Sequence, residues 1–230
     1  MSCKLIFNII VFILFPVYIF SQNDTLVKEF KPDSIYHKKD SLIKIYGYKK
    51  TFIPEYELPA ITALSNYPEL DSTIIEFKSK KLQMLGNARP KTDFLFRKQE
   101  NRHYVIITNK NTEDLLGLPF NDIPFNAQTG FFGHELAHIA DYTEKNNLKL
   151  IIFGAKYIFM QKKIERYTDK IAIEHNLGYQ LYELRSFIIK NPDTNEDYLK
   201  FKKNNYLNCE EILYEISKLN NGLPVNINKH

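Results

Sequence analysis

The most informative feature of this chain is the stretch Phe131-Phe132-Gly133-His134-Glu135-Leu136-Ala137-His138-Ile139-Ala140. Apolar residues stand on both sides of its three polar side chains, a pattern typical of a buried helix. His134 and His138 are four residues apart, so a helix places both imidazoles on one face. Buried imidazoles and a buried carboxylate are costly unless something pairs with them, and a metal ion would supply that partner. The stretch therefore predicts a metal site built into a helix.

The residue types on this helix favour catalytic zinc. Zn²⁺ accepts imidazole nitrogens in a tetrahedral site, which makes His134 and His138 candidate ligands. Glu135 lies beside them, where it could take a proton from a water activated by the metal. We therefore interpret Glu135 as a general base. The alternative is a surface helix with incidental histidines, and the apolar flanks disfavour it.

A third ligand must come from another part of the chain, because catalytic zinc normally has three protein ligands. The best candidate is Glu165, which we place on the buried side of a helix one connection downstream. Asp169 follows at i+4, where its carboxylate could accept a hydrogen bond from the free nitrogen of a ligating imidazole. The alternative for both residues is a surface ion pair. Four weaker candidates for the site are Asp141, Glu144, Glu174 and His175.

A small sheet is predicted before the motif helix, and further helices after it. Alternating or β-branched and aromatic residues predict strands over residues 73–80, 93–97 and 103–108. Helices are predicted over residues 57–65, 148–160, 161–176, 179–190 and 209–219. Strands followed by helices predict an α+β fold.

The first residues resemble a secretory signal. We predict a signal peptide over residues 1–21, or alternatively an uncleaved membrane anchor. Residues 22–50 are predicted to be a polar arm or tether, and residues 51–230 to form the main domain. Cys209 would be the one cysteine left after cleavage, so no internal disulfide is expected. The net charge of +4 is scattered along the chain, which does not favour nucleic-acid binding.

The two motifs together resemble the gluzincin metallopeptidases, whose signature is a His-Glu-x-x-His helix followed by a helix with Glu-x-x-x-Asp. The matching residues are His134, Glu135, His138, Glu165 and Asp169, within a match from about residue 103 to residue 178. The resemblance implies a zincin-like fold, in which a small, mostly antiparallel sheet precedes the motif helix and a helical C-terminal half follows it.

The resemblance also implies two substrate-binding features. An extended peptide would lie along an edge strand formed by His103, Tyr104, Val105 and Ile106. A tyrosine or histidine of the helical half would donate a hydrogen bond to the oxyanion. The candidates for that donor are His175, Tyr167, Tyr179 and Tyr182.

The sequence thus predicts a zinc metallopeptidase that hydrolyses a peptide or protein substrate. The predicted location is periplasmic, extracellular or membrane-anchored facing outside the cytoplasm, because the N-terminal segment resembles an export signal. The alternative is a non-catalytic zinc-containing module for binding or assembly at the cell envelope. An intact Glu135 disfavours that alternative, because a purely structural zinc site has no use for a general base.

Overall fold

The computed structural model describes residues 26–110 and 118–222. The helices are α1 (Pro32–Tyr36), α2 (Lys39–Tyr46), α3 (Glu57–Leu64), α4 (Phe125–Thr143), α5 (Asn147–Ala172), α6 (Gly178–Lys190), α7 (Glu196–Asn205) and α8 (Cys209–Asn220). The strands are β1 (Lys50–Thr51), β2 (Ile74–Lys80), β3 (Gly86–Pro90) and β4 (His103–Asn109). A small sheet precedes a helical half, so the predicted α+β class is confirmed.

The sheet is mixed, and the expectation of a mostly antiparallel sheet is wrong. Its strand order is β1-β2-β4-β3. β1 and β4 both pair with β2 in parallel, and only β3 pairs antiparallel, with β4. The reason lies in the connections. Helix α3 carries the chain from β1 across to β2, and β3 reverses the chain on the far side of β4, so that β4 runs in the same direction as β2.

The strand predicted over residues 93–97 is also wrong. Thr92–Phe96 forms a short 3₁₀ helix. The Asp93 carboxylate accepts a hydrogen bond from Arg97 Nε at 2.6 Å, a local contact that closes this turn. Leu95 and Phe96 are exposed. Their apolar side chains suggested a strand, but they are not buried against the sheet.

Helix α4 lies at the centre of the core. Phe131 and Phe132 pack edge-to-face with Phe120, with ring centroids 4.9 and 5.5 Å apart. On another face, glycine allows α6 to approach closely, because a Cβ at Gly130 would lie 2.2 Å from the carbonyl oxygen of Gln180. The motif helix is therefore fixed by packing around most of its circumference, which the three buried polar side chains require.

Helix α5 joins the two helices predicted over residues 148–160 and 161–176. Asn146 caps its start by accepting a hydrogen bond from the Lys149 backbone N–H at 2.9 Å. Met160 leaves the helical conformation, with φ −123° and ψ 21°. The half before this bend carries exposed apolar residues, and the half after it carries the buried Glu165. A π-helical turn, Ile173–Leu177, follows and leads directly into α6.

The segment interpreted as a polar arm contains α1 and α2 and contacts the core. Leu26 is buried, and the Phe30 backbone N–H donates to Asn126 Oδ1 at 2.8 Å. Asn126 Nδ2 donates in return to the Phe30 carbonyl at 3.1 Å. Within the described residues, no helix combines the length and the apolar character needed to cross a membrane. The predicted signal peptide lies outside the described residues.

Candidate metal centre

Helices α4 and α5 bring His134, His138 and Glu165 together. Glu165 Oε2 lies 3.0 Å from His134 Nε2 and 3.4 Å from His138 Nε2. All three residues are buried, and their candidate ligand atoms lie within 4.8 Å of one another. Ligands about 2.0–2.1 Å from a tetrahedral centre are separated by about 3.3 Å, close to these spacings. This buried group could hold a metal ion.

Two neighbours on α5 orient the imidazoles. His134 Nδ1 lies 2.9 Å from Asp169 Oδ1, and His138 Nδ1 lies 3.2 Å from Thr168 Oγ1. The Thr168 hydroxyl already donates to the Ile164 carbonyl at 3.0 Å, so its oxygen accepts from His138. Each imidazole thus donates through Nδ1 and directs Nε2 toward Glu165. The sequence suggested the Asp169 contact, whereas the Thr168 contact was not foreseen.

Besides His134, two further residues hold Asp169. Its carboxylate accepts a hydrogen bond from the Leu207 backbone N–H at 2.8 Å, and Arg185 Nη2 lies 3.3 Å from Oδ2. Burial raises the pKa of Asp169, but Arg185 and His134 outweigh that effect and hold the net pKa below its usual value. The carboxylate therefore stays charged and keeps His134 in place.

His134 and Glu165 influence each other's charge. Burial raises the pKa of Glu165, but the neighbouring imidazoles outweigh it and hold the net pKa well below the usual value. Burial lowers the pKa of His134, but hydrogen bonds to Asp169 and Glu165 raise the net pKa to about 9. Without a metal, protonated His134 supplies the positive charge that faces the Glu165 carboxylate. A divalent cation held by the three groups would take over that role.

Glu135 is buried beside this group, and part of its hydrogen-bonding capacity is unused. Its Oε2 atom has no hydrogen-bond partner within the described part of the chain. Burial raises the pKa of the Glu135 carboxyl above its usual value. A buried carboxylate oxygen without a partner is costly in a structural role and is typical of a group that receives a proton or a ligand.

A cleft of about 580 Å³ opens beside the candidate ligands. Its wall includes β3 and the first half of α5 together with the four site residues, His134, Glu135, His138 and Glu165. A cavity of about 690 Å³ lies elsewhere, between α5 and α8, and includes none of the four. The 580 Å³ cleft therefore offers a ligand access to all three candidate metal ligands.

The expectation that residues 103–106 form the substrate edge is wrong. His103, Tyr104, Val105 and Ile106 belong to β4, which lies between β2 and β3. The outer strand at the cleft is β3. Beyond the two ends of β3, the Asn109 N–H of β4 donates to the Leu85 carbonyl, and the Lys91 N–H donates to the His103 carbonyl of β4. The odd-numbered residues of β3 therefore form the hydrogen bonds to β4. The backbone groups of Gly86 and Ala88 consequently face away from β4, on the open side of the strand.

The four predicted oxyanion donors lie away from the cleft wall. His175 stacks on Tyr67 and lies 2.8 Å from Glu69 Oε1. Tyr167 lines the cavity between α5 and α8, Tyr182 lines a third cavity, and Tyr179 contacts Lys28. Of the weaker candidates, Asp141 forms an ion pair with Lys145. The tyrosines that line the cleft are Tyr142, Tyr157 and Tyr206.

Sequence reasoning missed these cleft tyrosines. Tyr157 donates a hydrogen bond to Glu165 Oε1, and the Tyr206 ring lies 5.5 Å from the His134 ring. Spacing could not have indicated Tyr157, because the bend at Met160 lies between it and Glu165 and interrupts the helical repeat. No local signal indicates Tyr206, which follows α7 and reaches the site through the tertiary fold.

Comparisons with protein-family models, curated proteins and solved structures found no match to this chain. The functional argument therefore depends on the residues of the site and their geometry.

Proposed function

We propose that this chain is a zinc-dependent metallopeptidase of the gluzincin type. The observation that carries the proposal is the unpartnered Glu135 carboxylate oxygen beside the buried group of His134, His138 and Glu165. A carboxylate at that point serves as a general base for a hydrolytic reaction. The adjoining cleft and its outer strand offer space and backbone groups for an extended peptide.

Two imidazole nitrogens and one carboxylate oxygen are a donor set that zinc uses in catalytic sites. The described residues contribute three candidate ligands to the group, which leaves a position for water or substrate. A structural zinc site normally has four protein ligands. The donor set thus favours catalysis over the alternative of a non-catalytic module at the cell envelope.

The substrate is proposed to bind as an extended strand along β3. Gly86 and Ala88 would donate to and accept from its backbone, because their N–H and C=O groups face the open side. Zinc, when bound, would supply a Lewis acid that polarises the scissile carbonyl and activates water. His134, His138 and Glu165 would hold the metal, with Asp169 and Thr168 fixing the two imidazoles.

Glu135 would move the proton. It would accept a proton from the attacking water as the new C–O bond forms, and deliver it to the amine nitrogen as the C–N bond breaks. Burial raises the pKa of Glu135, which makes it a stronger base for this task. A donor for the oxyanion would come from the tyrosines on the cleft wall, Tyr142, Tyr157 and Tyr206.

The test combines metal analysis with peptide hydrolysis. The purified chain should hold about one zinc per molecule and cleave peptides from a mixed library. Glu135→Gln should keep zinc and lose at least about 100-fold in kcat/KM, the usual worth of a general base. Glu100→Gln is the matched control, since Glu100 is exposed and the substitution is the same. Equal cleavage by both variants would refute the proposal.

Export belongs to the proposal as well, because it depends on the signal-like N-terminal residues. Mass spectrometry of the mature N-terminus should find the chain cut near residue 22. An intact first residue in a membrane fraction would instead support the anchor.

A further inference from the structure

A second, smaller cavity lies directly behind Glu135. Its volume is about 30 Å³, and it shares six lining residues with the cleft: Met84, Gly86, His134, Glu135, Phe201 and Tyr206. The two cavities therefore adjoin along these residues, next to Glu135. The far wall includes two cationic side chains, Arg185 and Lys202.

Lys202 has aromatic neighbours and no anionic partner. Its Nζ lies 3.8 Å from the centroid of the Tyr206 ring and 5.3 Å from that of Tyr198. Within the described residues, Nζ makes no hydrogen bond and no ion pair. Burial and the charge of Arg185 lower the pKa of Lys202 to about 8. A negative charge that entered the cavity would relieve this unfavourable environment.

Arg185 strengthens the positive character of this wall. Its guanidinium carbon lies 4.6 Å from the centroid of the Tyr206 ring, the same ring that Lys202 covers. One nitrogen, Nη2, contacts Asp169, whereas Nε is buried and has no partner within the described residues. Glu135 is the one acidic residue that lines the cavity, and the proposed reaction requires its carboxylate for proton transfer.

We propose that this cavity is a carboxylate-binding subsite, in which Lys202 receives the acidic side chain of a substrate residue next to the scissile bond. The inference rests on the proposed peptidase function and names its substrate class: peptides with Asp or Glu at that position. A volume of about 30 Å³ is roughly twice the 10–15 Å³ that one water requires, which fits the two oxygens of a carboxylate. The carboxylate head alone would occupy the cavity, while the aliphatic part of the side chain stays in the cleft.

Lys202 could instead tune the basicity of Glu135, because the positive charge of Lys202 lowers the pKa of the Glu135 carboxyl. The two roles predict different kinetics. A subsite residue changes the preference between an acidic substrate and its amide counterpart. A residue that tunes the base changes kcat for every substrate alike.

The kinetic test uses the zinc-loaded full chain and peptides that differ only in Glu, Gln or Lys at one position. The Glu peptide should have a kcat/KM about 10–100-fold higher than the Gln peptide, the usual worth of one charge-assisted contact. Lys202→Met should abolish this preference, and Lys202→Arg should keep it. Lys203→Met is the matched control, because Lys203 is exposed on the same helix. An equal loss for all peptides in Lys202→Met would overturn the subsite.

A binding test separates this inference from the proposed function. Calorimetry on Glu135→Gln measures the affinity of a five-residue peptide with a central Glu and of its Gln counterpart. The Glu peptide should bind about tenfold tighter, and the difference should vanish in Glu135→Gln/Lys202→Met. This result would support the subsite even if no peptide were hydrolysed. Equal binding of both peptides to Glu135→Gln would overturn it, whatever the outcome of the hydrolysis assay.

Discussion

Replacing Thr168 with valine should weaken metal binding without touching a ligand. Thr168 is 1% exposed, and its Oγ1 accepts a hydrogen bond from His138 Nδ1 at 3.2 Å. Valine has nearly the same shape, so the packing of α5 against α4 is retained. The His138 Nδ1–H group would lose its buried acceptor, which costs about 1–3 kcal/mol. The imidazole can avoid that cost by moving the proton to Nε2, the nitrogen that faces the metal position.

The expected loss is about 10–100-fold in zinc affinity, the usual effect of removing the partner of a ligating imidazole. This corresponds to about 1.4–2.8 kcal/mol. The assay is competition for zinc with a chelating dye at constant pH. Unfolding in urea with a chelator present would show separately how much stability the hydroxyl contributes in the absence of zinc.

Thr129→Val is the matched control. Thr129 is also fully buried. Its hydroxyl donates a hydrogen bond at 2.9 Å to the carbonyl of Phe125, four residues earlier in the helix. The Thr168 hydroxyl makes the same kind of bond to Ile164. Both variants lose this intrahelical bond, but only Thr168→Val loses a histidine contact. Equal zinc affinities for the two variants would refute the assignment of Thr168 as the residue that orients His138.

Three further predictions concern stability. Adding a chelator should lower the thermal midpoint, because a ligand at 1,000 times its Kd stabilises the folded state by about 4 kcal/mol; an unchanged midpoint would argue against a site formed on folding. Gly130→Ala should lower the free energy of unfolding by about 1–3 kcal/mol, because the new methyl group overpacks the core. Gly154→Ala should raise the free energy of unfolding by about 0.5–1 kcal/mol, because its Cβ meets nothing within 4 Å. A urea titration that ranks the two variants in the opposite order would contradict this packing. Burial lowers the pKa of His175, but Glu69 outweighs it and raises the net pKa. The resulting stabilisation is complete below about pH 6.5 and is lost as pH rises through the raised pKa. Glu69→Gln should therefore lower the free energy of unfolding by up to about 1 kcal/mol near pH 6 and by less near pH 8. An equal loss of stability at both pH values would exclude the ion pair.

Helical spacing explains which parts of the site could be predicted. His134 and His138 are four residues apart, as are Glu165 and Asp169, and within a helix this spacing fixes a common face. The structure joins the two faces through a 3.0 Å contact between His134 and Glu165. Local sequence was sufficient here because each pair needs only its own helix.

Strand order could not be predicted in the same way. The residues of β4 are apolar and β-branched whether the strand lies at an edge or inside a sheet, so their pattern says nothing about neighbours. The short β3 contains glycine and proline, which disfavour strands, and its pairing with β4 compensates for this. Lys202 and Tyr206 were missed for a related reason, since only the packing of the chain after α6 brings Tyr206 to the cleft and Lys202 to the smaller cavity beside it.

Pro90 limits what the outer strand can bind. Even-numbered residues of β3 face the open side, so the donors on that side are the N–H groups of Gly86 and Ala88, and Pro90 has none. A docked chain is consequently held over two residues, and a longer ladder cannot form. Open strands of this kind invite neighbouring copies to pair and aggregate. The same proline that would shorten a docking edge therefore also leaves fewer backbone donors for pairing between copies at this cleft.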